Sequence, residues 1–276
     1  MATDDAPNPS SAMLLFFILT TIYSVMQYNA SKQYAGTDKA AAGKDSTGKM
    51  YFMIYLLAVV VGQFFINLQL TTAMCGSPNW ATAAMCTFFP WGFIFGILLL
   101  LLSMFPGWLA PFSNTFGYGV ALAAGLNDTM VDILKPQSKK ARDDSGEKLN
   151  PQAEEALEHI YADRSLLVNE ITSDNFDNFW TNMAGLFRSG VESNVALKSD
   201  LYSFVVLKEI VSEYVWYILA GMLITSVSFN YIAGSACNVS ASEMQARHAD
   251  YEKELKAAQD DAKAKADNRR VYSTTE

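Results

Sequence analysis

Residues 88–112 read FFPWGFIFGILLLLLSMFPGWLAPF, a run with no charged residue, aromatic at both ends and aliphatic in the middle. A hydrocarbon core about 30 Å thick asks for roughly 20 consecutive apolar residues in helix. Residues 88–110 meet that length. Trp91 and Trp108 stand near the two ends, where an indole suits the headgroup layer. Pro90 and Pro106 mark the edges, because proline fits a helix start and breaks an interior. The alternative is a buried core helix, but a run this long and featureless is rare in a soluble domain. The stretch predicts a membrane-spanning helix.

Three more stretches read the same way. Residues 12–28, AMLLFFILTTIYSVMQY, are short for a span, and Thr20, Thr21 and Ser24 suit lipid if they bond back to helix carbonyls. A buried or interfacial helix is the other reading of that stretch. Residues 50–73 carry Gln63, Asn67 and Gln69 in their second half. Gln63 and Asn67 are four apart and share a helix face, where amides either glue the helix to a neighbour or line a polar path. Glue is the commoner use inside a bilayer. Residues 214–233 form the last span, with Tyr214, Trp216 and Tyr217 as one aromatic belt and Tyr231 near the other end. Gly92 with Gly96 and Gly221 with Thr225 are small-xxx-small pairs, which permit close helix contact.

The expected fold class is therefore all-α: about four transmembrane helices, a soluble helical segment and a long C-terminal helix. Residues 1–133 are expected to be a membrane region with spans at 12–28, 50–73 and 88–110 and an interfacial segment. A polar, amphipathic helical segment follows at 134–213, then the span at 214–233 and a charged helical tail at 234–276. The interfacial segment, 111–133, is expected to lie on the membrane surface or re-enter, because Asn114, Asn127 and Asp128 bracket only about 12 apolar residues. In 134–213, Phe176, Phe179, Trp180, Met183 and Phe187 recur at three- and four-residue steps and predict one apolar helical face. That face suits either protein or a lipid interface. In the tail, Ser240 and Glu243 fit a capping box. Met244, His248, Tyr251, Leu255, Ala258 and Ala262 trace a thin heptad seam, so residues 240–270 predict a projecting helix with a partner.

Composition narrows the function classes. The formal charge is −8, without the clustered basic face that phosphate binding needs, so nucleic acid is not an expected partner. The N-terminal residues MATDDAPNPSS carry no Lys or Arg, so the first apolar stretch reads as a retained anchor rather than a cleaved signal. Lys plus Arg number 4 between the first two spans, 0 between the second and third, 9 in 111–213 and 7 in the tail. With four spans, the positive-inside rule puts 30–49 and the middle segment in the cytosol and the N-terminus, the 74–87 loop and the tail opposite. Cys75, Cys86 and Cys237 then share the side where disulfides are permitted, with their pairing open. The three make neither a disulfide scaffold nor a zinc spacing.

Chemistry is sparse. No Asp, Glu, Lys, Arg or His lies inside the four apolar stretches, which counts against proton relays, voltage sensors and ion-coupled transport. Glu155, His159 and Asp163 share a helix face and are a metal trio by residue type, although a solvated charged face is the plainer reading. His248 reads as a packing position in the tail. Asn29, Asn127 and Asn238 begin glycosylation sequons short enough to arise by chance. No phosphate loop, zinc-protease or nucleophile-elbow motif is present. The expectation is no catalytic, cofactor-binding or metal site, and no enzyme.

Two strings, FPGWLAPFSNTFGYGVALAAG at 105–125 and ITSVSFNYIAGSACNVSASEMQARHADYE at 224–252, resemble segments of membrane-embedded virion proteins of nucleocytoplasmic large DNA viruses such as the algal chloroviruses. They cover about a fifth of the chain. The resemblance implies a minor capsid protein that resides in the internal membrane of the virion, passes through host endomembranes during assembly, and ties that bilayer to the capsid shell. Its partners would be the lipid bilayer and other capsid or minor capsid proteins, met through 134–213 and 240–270. Two other classes stand beside it. One is a small passive channel or permease lined by Gln63, Asn67 and Gln69. The other is a cellular four-span scaffold in which Cys75 and Cys86 close an extracellular loop.

Overall fold

Two helices of unusual length organise the molecule. The computed structural model describes residues 9–32, 39–146, 149–234 and 241–267. Among these the fold is all-α, with one isolated antiparallel bridge between Leu134 and Phe187. The chain divides into two compact units, Met1–Gly234 and Ser235–Glu276.

In the first unit, α1 (Ser10–Ser31) and α2 (Lys39–Cys75) pack side by side. A turn at Gly76, with φ 69°, leads to α3 (Trp80–Thr87), a π-helical segment at Phe88–Ile94 and α4 (Phe95–Met104) in unbroken succession. A short 3-10 turn, Pro106–Leu109, then passes into α5 (Ala110–Phe112), a second π segment at Ser113–Gly117 and α6 (Tyr118–Ala123). Gly125, at φ 111°, breaks the path before α7 (Leu126–Ile133). Four shorter helices follow, α8 (Lys139–Ser145), α9 (Pro151–Ala162), α10 (Ser165–Val168) and α11 (Phe176–Met183). The last helix of the unit, α12, runs from Val195 to Gly234. At 1.5 Å per residue it is roughly 60 Å long, twice a hydrocarbon core.

Four helices are long and apolar enough to cross a membrane: Ser10–Ser31, Gly48–Cys75, Trp80–Leu102 and Val195–Gly234. The third departs from expectation. Of the 74–87 stretch expected as a loop, Trp80–Thr87 is helix, and Asn79 caps it by accepting from the Thr82 amide at 3.1 Å. Pro90 consequently lies inside the span instead of at its edge. A proline ring clashes with the carbonyl one turn back and offers no N–H, and the wider π turn at Phe88–Ile94 accommodates it. Trp91 is fully buried against Phe16 and Phe95, at ring distances of 5.0 and 5.5 Å, rather than at a headgroup layer. Trp108 does sit on the surface, stacked on Phe105.

Two hydrophobic clusters fill the unit. One lies among the spans, around Phe16, Tyr55, Val59, Trp91, Phe95, Tyr217 and Ile224. The other gathers Ala121, Leu126, Met130 and Ile133 with Leu157, Ile171, Phe176, Trp180, Phe187, Leu201 and Val205. The apolar face read at 176–187 is thus spent inside the protein: Phe176, Trp180 and Phe187 are buried, and Phe179 and Met183 pack against them. This second core reaches back to Ala121, so the 121–133 part of the segment after the third span is packed into it. Within that core Asn150 caps α9 by accepting from the Ala153 amide, and Asn194 caps α12 by accepting from Ala196 and Leu197.

The second unit contains α13 (Ala241–Asp267), roughly 40 Å long. Its described side chains are exposed, including Tyr251 and Leu255 of the heptad seam. His248 is also exposed and faces Glu252 at 3.8 Å, so within this unit it is not a packing position. Ser240 of the capping box, Cys237, Asn238 and the end of the predicted tail helix lie outside the described residues.

Candidate functional site

The polar groups inside the bundle are the natural place to look for a site. Gln63 is buried on α2, and its amide donates to the Ala12 carbonyl of α1 at 2.8 Å. Asn67, one turn on, donates to Thr87 Oγ1 of α3 at 2.9 Å, and Thr87 in turn donates to Ala83 O. Each amide therefore joins α2 to a different neighbour. Gln69 is exposed on the outside of the helix. The three do not converge on a common path, so the lining that a passive channel would need is absent from these residues.

Hydroxyls do similar work. Thr20 donates to Phe16 O at 2.7 Å and meets the Tyr55 hydroxyl at 3.0 Å, and Thr21 donates to Phe17 O while meeting the Tyr214 hydroxyl at 3.2 Å. Ser228 of α12 donates to the Cys86 carbonyl at 2.9 Å. Tyr217 is buried and stacked with Tyr55 rather than placed in a lipid-facing belt, and Tyr23 closes a three-ring cluster with them, 4.6 Å from Tyr55 and 6.2 Å from Tyr217.

Glycines set the closest helix approaches. A Cβ on Gly221 would collide with the Phe16 ring, and one on Gly62 would fall 2.5 Å from Leu15 Cδ2. Gly221 and Thr225 thus serve the α1–α12 contact and the buried side of α12. Gly92 and Gly96 differ: nothing lies within 4 Å of where their Cβ atoms would be.

The junction of the two cores carries a residue that a sequence reading passes over. Lys208 is 1% exposed, and its ammonium donates to Val168 O at 2.7 Å and Ile171 O at 2.8 Å. Its neighbour Glu209 accepts from the Ser173 amide at 2.7 Å. Together they fasten the 168–173 turn to α12. Gly117 lies close against Lys208, since a Cβ there would collide with the Lys208 carbonyl oxygen. The sequence signal is a lone Lys-Glu pair within the apolar run VVLKEIV.

The trio Glu155, His159 and Asp163 does not assemble. His159 and Glu155 are both exposed, 4.0 Å apart, and Asp163 accepts instead from the Ser165 amide. No group of three His, Cys, Asp or Glu among the described residues is arranged to hold a metal. A neighbouring acid has a defined partner: Glu154 accepts from Arg142 Nη2 at 2.9 Å, which holds its carboxyl below the usual carboxylate range. Burial pushes the Tyr161 hydroxyl up, and it donates to Lys135 O.

The cysteines separate. Cys75 is disulfide-bonded, whereas Cys86 is free and buried in the third span. A Cys75–Cys86 bridge, on which the four-span scaffold reading relied, is thereby ruled out. Beside Cys86 a lateral groove of about 290 Å³ opens between the π segment and α12, with apolar walls from Phe89, Pro90, Ile94 and Val227.

What the arrangement can do chemically is hold helices together and fasten a second, separately packed core to one of them. No protein family, curated protein or solved structure was found to match the chain.

Proposed function

We propose that this chain is a structural membrane protein of a large DNA virus particle, which anchors the internal lipid membrane to the capsid shell and aids assembly. The observation that supports it most is α12: one unbroken helix carries a lipid-compatible bundle on one half and a separately cored domain on the other. A tether needs such a rigid transfer of position, and the Lys208–Glu209 fastening adds to it. The likeness of 105–125 and 224–252 to membrane-embedded virion proteins supplies the viral half of the proposal. On this reading capsid or minor capsid proteins are met through the outer surface of the 134–213 domain and through α13. The disulfide at Cys75 is consistent with that end of α2 facing an oxidising side.

The test is quantitative mass spectrometry of purified particles combined with cross-linking. The expected outcome is a fixed ratio of this chain to the major shell protein, with cross-links from lysines of 134–213 and α13 to shell components. Absence from particles, or residence only in host membranes, would overturn the proposal.

A further inference from the structure

Residues 50–127, between Lys49 and Asp128, contain no Asp, Glu, Lys, Arg or His, so the charge-free region continues well past the end of the third span. Beyond α4 it forms the helical path from Pro106 to Ala123, whose two faces differ sharply. Ser113, Gly117 and Ala121 are buried on the inner face, and the near contact of Gly117 with the Lys208 backbone fixes which side is turned inward. The outer face holds Trp108, Phe116 and Val120, exposed by 47%, 56% and 43%. Phe105 is stacked on Trp108 at 5.5 Å and is likewise exposed. Thr115 on this face donates back to Pro111 O, which spends its hydrogen there.

An exposed apolar surface of this kind marks a contact with something. We infer that Phe105, Trp108, Phe116 and Val120 form a membrane-surface anchor that seats in the interfacial layer of the bilayer and holds the 121–205 core at a set height above it. Continuity selects lipid as the occupant. The exposed face of the third span, Phe93, Ile97, Leu100 and Met104, runs directly into Phe105 and Trp108. Trp and other amphipathic rings favour the headgroup boundary, and a charge-free apolar helix face can lie in it. Ala121 is at once the inner face of this helix and part of the soluble core, so seating the helix seats the domain.

The inference rests on the membrane reading, and one experiment separates the two. A fluorescent amino acid is placed singly at positions 93, 116, 120 and 200 of the full chain, reconstituted in phosphatidylcholine vesicles. Quenching by brominated lipid is compared with quenching by aqueous iodide. Expected is severalfold stronger lipid quenching at 93, 116 and 120 than at 200, with iodide acting mainly at 200, where Asp200 is exposed. Lipid quenching at 93 with iodide access at 116 and 120 overturns the anchor and leaves the span intact. Shielding of 116 and 120 from both quenchers overturns it too, because protein rather than lipid then covers the face. No lipid quenching at 93 removes the membrane reading itself.

Discussion

The bundle of spans and the 121–205 core are both helical and both rich in buried aromatic rings, yet they are held by different means. Among the spans, contacts are close and mutual: a ring on a glycine at Phe16 and Gly221, an amide on a carbonyl at Gln63 and Ala12, a tyrosine on a threonine at Tyr55 and Thr20. In the other core, short helices leave many loop carbonyls, and long cationic side chains reach in to satisfy them. Arg142 donates to Pro136 O and Gln137 O, Arg188 to Leu134 O, Lys135 to Gly185 O, and Lys208 to Val168 O and Ile171 O. The difference matches the proposed placement of the spans in lipid and of the second core outside it. Lipid is as apolar as a leucine, so it gives helices no hydrophobic reason to associate, and packing with a few hydrogen bonds must serve. Water supplies that reason, and the remaining task is to pair the backbone groups that burial strips.

The largest test of this contrast is Trp180→Ala. Trp180 stacks on Phe176, contacts Phe187 at 4.7 Å and donates to Glu192 O. Its loss is expected to cost about 3–5 kcal/mol and to expose 134–200 to protease in detergent micelles while 50–104 stays protected. Simultaneous loss of protection in both would show that the two regions do not melt separately.

Next comes Gly221→Leu, which has no room beside Phe16. Overpacking of about 1–3 kcal/mol is expected as a lower thermal midpoint of the bundle, partly recovered when Phe16→Ala is added. Gly92→Leu, in open space, is the control and should stay within about 0.5 kcal/mol of wild type. Equal damage from both glycine substitutions would refute the assigned contact.

A paired substitution sharpens the comparison of hydrogen bonds. Lys208→Met abandons two buried carbonyls in the 121–205 core and should cost about 1–3 kcal/mol by chemical denaturation. Gln63→Leu abandons one carbonyl between spans and should cost about 0.6 kcal/mol, with about 1.7 as the ceiling for such bonds. Gln63→Leu should also leave solute flux in liposomes unchanged, and altered flux would revive the channel reading.

The smallest effect is electrostatic. Because Arg142 holds the Glu154 carboxyl below its unfolded value, the pair contributes stability that is complete at neutral pH. That contribution is lost as pH falls below about 4.3 toward the folded value. Thermal melting followed from pH 7 to pH 3 should show a shallower acid decline for Glu154→Gln than for wild type. An identical slope would remove Glu154 from the acid response.

Several elements were legible in advance and others were not. The amides Gln63 and Asn67 could be read as interhelical glue because an uncharged amide in lipid has few other uses. The start of the third span at Trp80 was missed, since WATAAMCT carries neither strong hydropathy nor charge and its helix depends on the Asn79 cap. The destination of the 176–187 aromatic face was undecidable from spacing, because lipid, a partner and the protein's own core all reward the same pattern. The role of Lys208 was invisible, since its two carbonyl partners lie about forty residues away in the chain.

Sequence alone determined that four helices of this chain are long and apolar enough for lipid, because the cost of placing charge in hydrocarbon depends on composition and length and not on neighbours. Only the tertiary structure decided which apolar side chains are packed inside the protein and which are left on its surface. Trp91 and Phe93 are two residues apart in one helix, one fully buried and the other exposed by 57%. To a ring, a fatty chain and a packed helix are nearly the same medium, so hydropathy cannot sort them, and the close approaches at Gly221 and Gly117 do.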